Sequence, residues 1–241
     1  MSILSELKSR KLGLIELISM GFDVYLKNLK PILLLFCTIS LPFSIIMSAL
    51  TTEVQNSPSG LFLAFYYVFL IFFILVSSIY YIAVSVITDN YVHERNTNYQ
   101  SVVKKIFASL VPLFLLSFRF WINYFLRCLL LLIPGIIYLI NNGYYGLAFI
   151  LRDQKGEASF LYSRSIVEGN WWRVFFFSFL VGLISIGLQT VFSQFLNTIP
   201  FINPFWVSVL SETLPTFITI GISLGDILLF LNLEFQKNLE S

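Results

Sequence analysis

Two ionisable residues sit inside apolar runs where hydrocarbon would not tolerate them alone: Arg119 and Asp226. An arginine at the bilayer centre costs about 2.5–3.5 kcal/mol on insertion scales, so a partner inside the protein is expected. Asp226 lies near the middle of the last apolar run, at a depth similar to Arg119, and the two are expected to pair. Arg119, Asn123 and Arg127 stand at i, i+4 and i+8, which puts them on one helix face. Arg127 is close enough to the end of its run to snorkel toward headgroups. Asn141, Asn142 and Gln189 could extend a polar lining. Such a set does one of two things: it fixes helix packing through an ion pair, or it lines a path for a solute or ion.

Enzymatic signatures are thin. Ser223-Leu224-Gly225-Asp226 invites comparison with the GxGD motif of intramembrane aspartyl proteases. That chemistry needs two aspartates sharing a proton. Here Ser223 stands where the first glycine belongs, and Asp23 and Asp89 fall outside the apolar cores. HExxH, GxSxG and P-loop patterns are missing from the sequence. The single histidine, His93, and the two cysteines, Cys37 and Cys128 in apolar runs, suggest no metal site, disulfide framework or other cofactor.

These residues are carried by an unusually apolar chain. Of its 241 residues 57% are hydrophobic and 12% charged, with 26 Phe. Soluble domains are about a quarter charged. This chain cannot cover itself with polar groups, so lipid must be its solvent. A bilayer core of roughly 30 Å needs about 20 apolar residues per helix. Six stretches meet that length: 31–50, 61–88, 112–131, 133–151, 173–195 and 215–234. The fold expected is all-α and polytopic, a single membrane domain of six transmembrane helices. Ile133-Pro134-Gly135 is read as the tight turn between the third and fourth spans. The first run begins near Pro31 and no small-x-small cleavage site follows it, so all spans are expected to be retained.

Charge placement orients the spans. With the N-terminus inside, every one of the 15 basic residues except Arg119 and Arg127 falls in an inner segment. The outer loops, 51–60 and 196–214, carry only Glu53 and Glu212. By the positive-inside rule both termini are cytoplasmic. Three inner segments read as amphipathic surface helices, at 12–30, about 97–110 and about 156–168. In the first, Leu14, Ile15, Ile18, Phe22, Tyr25, Leu26 and Leu29 form the expected apolar face. Gly169 is the expected left-handed cap of the third. Each surface helix precedes two spans, so the chain can be read as three such units. Trp171, Trp172 and Arg173 are expected to anchor the fifth span at headgroup level. Glu168 and Arg164 have the spacing of a helix ion pair.

Ser163-Arg164-Ser165-Ile166-Val167-Glu168-Gly169-Asn170-Trp171-Trp172-Arg173-Val174-Phe175 resembles the pattern S-x5-G-x-[FW]-W-R-V-F. That pattern recurs in a broad group of bacterial six-span proteins. The group includes the membrane domain fused to some glycerophosphodiester phosphodiesterases and the YciC-like inner-membrane proteins. The Leu129 to Gly135 stretch resembles the group's Leu-rich span ending in Ile-Pro-Gly, and Gly13 to Asn28 resembles its N-terminal surface helix. The resemblance implies six helices in the bacterial cytoplasmic membrane. It carries over neither catalytic residues nor phosphodiesterase activity.

Three functions remain open. The first is a non-enzymatic membrane protein assisting transport or membrane organisation, as a homo-oligomer or beside another membrane protein. Its basic inner surface would meet anionic lipid headgroups at about 1 kcal/mol per exposed cation. The second is a small transporter or channel with a polar path near Arg119 and Asp226. The third is an intramembrane lipid-modifying enzyme. A net charge of +2 is too small to imply nucleic-acid binding, and no nucleic-acid partner is expected.

Overall fold

Four helices are long and apolar enough to cross a bilayer: Leu29–Gln55, Lys104–Leu130, Trp171–Asn197 and Pro204–Leu239. They belong to a computed structural model that describes residues 3–56, 59–95 and 99–240, all helical elements and connections with no strand among them. The order is α1 (Ile3–Ser9), α2 (Leu14–Lys27), α3 (Leu29–Leu35), a π-helical turn (Phe36–Ser40), α4 (Leu41–Asn56) and α5 (Gly60–Val92). There follow α6 (Tyr99–Leu130), α7 (Leu132–Asn142), α8 (Tyr145–Arg152), α9 (Glu157–Val167), α10 (Trp171–Asn197) and α11 (Pro204–Glu240).

The centre of the fold is α11. It packs on α1, α2, α4, α5, α9 and α10. Leu224, Leu228, Leu229, Phe230 and Leu231 are each 0% exposed. By contrast α6 and α10 turn Phe118, Trp121, Phe125, Phe176, Phe179 and Ile186 outward. Exposed rings in rows of this kind have no stable place in water and fit a lipid-facing surface.

Several boundaries differ from the sequence expectations. Of the expected surface helix at 97–110, residues 97 and 98 lie outside the described residues and the rest is not a separate helix. From Tyr99 it continues without a break into the third apolar run, as the 32-residue α6, which accommodates Pro112. The α6–α7 break falls at Leu131, whose extended backbone (φ −163°, ψ 148°) interrupts the helix, while Pro134 and Gly135 sit inside α7. Proline is tolerated there because first-turn N–H groups have no helical partner anyway. The run 133–151 is divided at Gly143–Tyr144 into α7 and α8. Most of the expected outer loop 196–214 is helix, since α11 begins at Pro204 and runs 37 residues through Pro215. At 1.5 Å per residue that is about 55 Å, well beyond a bilayer core.

The apolar face expected of α2 packs in large part: Tyr25 is buried and Leu14, Ile18, Phe22 and Leu29 lie against the core beside Leu17, Met20, Gly21 and Val24, whereas Ile15 is 79% and Leu26 63% exposed. The cause is α11. A Cβ built on Gly21 would lie 2.5 Å from both the Gly221 carbonyl oxygen and the Gly225 nitrogen. The two backbones touch, so α2 lies against the bundle on the face that carries its glycine. The N-terminus of α2 is held by Glu16, which accepts from the Gly13 N–H at 2.8 Å and from two Arg10 nitrogens at 2.9 Å each. These bonds hold the Glu16 carboxyl below its ordinary value, the Arg10 hydrogen bond first among them. The expected cap at Gly169 is present, with φ +78°.

Candidate functional site

The Arg119–Asp226 pair does not form. Arg119 on α6 donates to Glu157, the first residue of α9, and lies over the Phe160 ring at 5.6 Å. Both Arg119 and Glu157 are about half exposed. The helices explain the miss: α6 packs on α5, α7 and α8, while Asp226 belongs to α11. α6 and the α7–α8 stretch run antiparallel, with Phe120 stacked on Tyr145 at 4.7 Å and Lys105 bonded to Asp153 at 2.5 Å. That arrangement directs Arg119 toward α9 and away from α11.

The rest of the expected α6 face does not converge on a site. Asn123 donates to the Arg119 carbonyl, and Arg127 lies over the Tyr138 ring at 4.7 Å. The carbonyl of Asn141 accepts from Ser163. Asn142 is buried and accepts from Arg164 Nε at 2.9 Å, which draws Arg164 toward α7. Trp172 remains on the surface, but Arg173 turns inward. Its Nη2 donates at 2.6 Å to Asn232 Oδ1 and at 2.6 Å to the Leu12 carbonyl. Asn232 in turn donates to the carbonyls of Leu7 and Arg10. This ties α10, α11 and the N-terminal segment together.

Toward the C-terminal end of α11 lies a half-buried charge cluster. Arg152 Nε and Nη2 each donate to Glu234 at 2.5 Å, and Arg152 Nη1 reaches Asp89 at 3.4 Å. His93 and Arg95 approach Asp89 at 3.4 and 3.6 Å. Tyr162 donates to Glu234, and burial together with that carboxylate pushes its phenol above its ordinary value. Every acid in this cluster has a cationic partner.

Asp226 is different. It accepts one hydrogen bond, from the Tyr144 hydroxyl at 3.1 Å, and no Lys, Arg or His pairs with it among the described residues. Eight residues separate it from Glu234, about 12 Å along the helix. It lines a cavity of about 310 Å³ with Tyr80, Tyr81, Ser178 and Ser223. Tyr81 in its lining is 38% exposed. Tyr80 also lines a second, wider chamber of about 660 Å³, so the two adjoin. The wider chamber runs between α4, α5, α10 and α11 to Gln189 and Glu212. Glu212 lies 14 residues before Asp226, about 21 Å along α11.

No family model, curated protein or solved structure matches the chain.

The site is therefore a two-chamber cavity rather than an arginine-centred path. Asp226 and Gln189 were legible in the sequence as polar residues in apolar runs. Glu212 looked like a loop residue until α11 proved to begin at Pro204. Tyr80, Tyr81 and Tyr144 carry no sequence signal, because a tyrosine in an apolar run reads equally well as an interfacial ring. Among the described residues no His, Cys, Asp or Glu side chains group as metal ligands.

Proposed function

We propose that this chain is a non-enzymatic, six-span protein of the bacterial cytoplasmic membrane that handles a small polar solute in the Asp226 cavity, as a transporter or transport-assisting protein. The observation that carries this reading is the cavity itself. A purely structural bundle of this size would close its centre with apolar side chains. This one keeps about 310 Å³ open around a carboxylate without a cationic partner.

Charge supports the orientation. The Glu234 end of α11 is surrounded by Arg152, Arg95, Lys105 and Lys237, whereas the wider chamber at the other end is lined by Glu212 and no basic residue. Under the positive-inside rule the basic rim is cytoplasmic and the wide chamber faces out. Exposed Lys27, Lys30 and Lys104 on that rim would meet anionic headgroups. The resemblance of the Ser163–Phe175 stretch to the bacterial six-span group supports the same membrane and span number.

Thiol labelling tests it. Cys37 and Cys128 are replaced by Ala, and single cysteines are placed at Thr216 and Ser223. A membrane-impermeant maleimide added outside intact cells is expected to modify both. Modification of neither, or modification only from the cytoplasmic side in inverted vesicles, would overturn the proposal.

A further inference from the structure

We infer that the two chambers form a binding site for a small organic ammonium ion. The inference rests on the cavity being open, as proposed above, and adds the chemistry of what fills it.

Hydrogen-bond direction supplies the first argument. Thr51, Ser185, Thr216, Thr219 and Ser223 all line the chambers. Each donates its hydroxyl proton to a carbonyl of its own helix, at 2.6–3.0 Å. With the proton spent on the backbone, a hydroxyl offers only its lone pairs to the cavity. These five hydroxyls face the cavity as acceptors and suit a ligand that brings donors or positive charge, while Gln189 in the wide chamber has an amide that can donate as well as accept.

The charged groups agree. The lining holds two carboxylates, Glu212 in the wide chamber and Asp226 at the far end of the narrow one, and no Lys, Arg or His. A carboxylate in such a place requires either a proton or a cation. Within the protein Asp226 has only the Tyr144 hydroxyl.

Aromatic faces narrow the class. Phe43 and Tyr66 line the wide chamber with Glu212, Tyr81 the narrow one with Asp226, and Tyr80 both. A desolvated ammonium over aromatic rings gains cation–π attraction, whereas bare metal ions require a tight shell of oxygens. Chambers of about 660 and 310 Å³ match a small organic molecule better than a single ion.

The test uses the full chain in phosphatidylcholine nanodiscs, whose zwitterionic lipid does not collect cations. Benzyltrimethylammonium is the probe, titrated calorimetrically, with empty nanodiscs as the blank and benzenesulfonate as the matched anion. The ammonium is expected to bind and the sulfonate not to. Asp226→Asn is expected to weaken binding roughly tenfold or more, the loss of one charged contact. Glu212→Gln is expected to weaken it less. Glu212 is exposed at the wide chamber, so this variant keeps the test valid if Asp226→Asn does not fold. Equal binding of the sulfonate, or unchanged affinity in a folded variant of either acid, overturns the inference. Absence of ammonium binding while Ser223→Cys still labels also overturns it and leaves the open-cavity reading intact. A Ser223→Cys chain that never labels removes both.

Discussion

Arg152 and Glu234, 82 positions apart in sequence, are joined by two parallel hydrogen bonds of 2.5 Å each. The pair bridges α8 and α11 eight positions beyond Asp226 on the same helix. It is also where a single truncation would be most costly. The Glu234 side chain is 8% exposed and Asp89 is 7% exposed. Removing the guanidinium would leave the Glu234 carboxylate without a cationic partner, held only by the Tyr162 hydroxyl, while Asp89 keeps His93 and Arg95.

Arg152→Ala is therefore expected to destabilise the protein by about 3–5 kcal/mol, the range for stranding a buried charge. The double variant Arg152→Ala/Glu234→Gln should recover part of that loss, because it removes the stranded Glu234 charge. Thermal unfolding in detergent micelles, followed by loss of monodispersity, would read both. An Arg152→Ala midpoint equal to the parent would contradict the bridge.

Helix contact gives a second prediction. A Cβ at Gly21 has no room against the α11 backbone, and backbone cannot step aside as a flexible side chain can. Gly21→Ala should cost about 1–3 kcal/mol through overpacking. Gly182 on α10 has nothing within 4 Å of the same added atom. Gly182→Ala should be neutral or stabilising by up to about 1 kcal/mol from helix propensity alone. The two substitutions compared in one unfolding assay should thus differ in sign. Equal effects would mean that α2 does not seat on α11.

The contrast between these two glycines shows what could be read before the structure. An all-helical, strongly apolar chain with membrane-length helices follows from composition, which is a property of each segment alone, whereas the number and bounds of the helices do not. Gly21 could not be singled out, because its role depends on Gly221 and Gly225 two hundred positions away. The same holds for Arg119. Depth in the span was a fair guide to which groups share a level, but level does not fix neighbour. The α6–α7 hairpin turns Arg119 toward Glu157 on α9, an element whose place beside α7 and α8 no periodicity encodes. Asp226 was visible as an anomaly, but the cavity that gives it meaning is an absence of atoms and leaves no mark on the sequence.

The separation of Arg119 from Asp226 has its own test. Two residues without a shared partner add their effects to within about 0.5 kcal/mol. Arg119→Ala should cost no more than about 1 kcal/mol, as expected of a half-exposed ion pair. A double-mutant cycle of Arg119→Ala with Asp226→Asn should give no coupling, whereas Arg119→Ala with Glu157→Gln should couple by a few tenths of a kcal/mol. Coupling to Asp226 above about 1 kcal/mol would restore the pairing first expected from depth.

The remaining prediction concerns Asn232, where sequence-distant backbone groups depend on one side chain. Its amide is 0% exposed, donates to the Leu7 and Arg10 carbonyls, and accepts from Arg173 and the Leu12 N–H. Leucine there would keep the volume but leave the Arg10 carbonyl and the Leu12 N–H without this partner, while Arg173 keeps the Leu12 carbonyl and the Leu7 carbonyl keeps Gln236. Each such group costs about 1–3 kcal/mol, less whatever water can recover. The loss falls unevenly: α11 keeps its apolar packing, whereas the α1–α2 segment loses the bonds that hold its connection. Asn232→Leu should accordingly free the N-terminal segment before it unfolds the bundle. Limited proteolysis with trypsin should then cut at Lys8, Arg10 or Lys11 well below the unfolding temperature, while the remaining helices stay resistant. Asn232→Asp should behave differently, because its oxygen can still accept from Arg173 although its donors are gone. If Asn232→Leu unfolds in a single step with no early cleavage at these basic residues, the segment is not held as argued here.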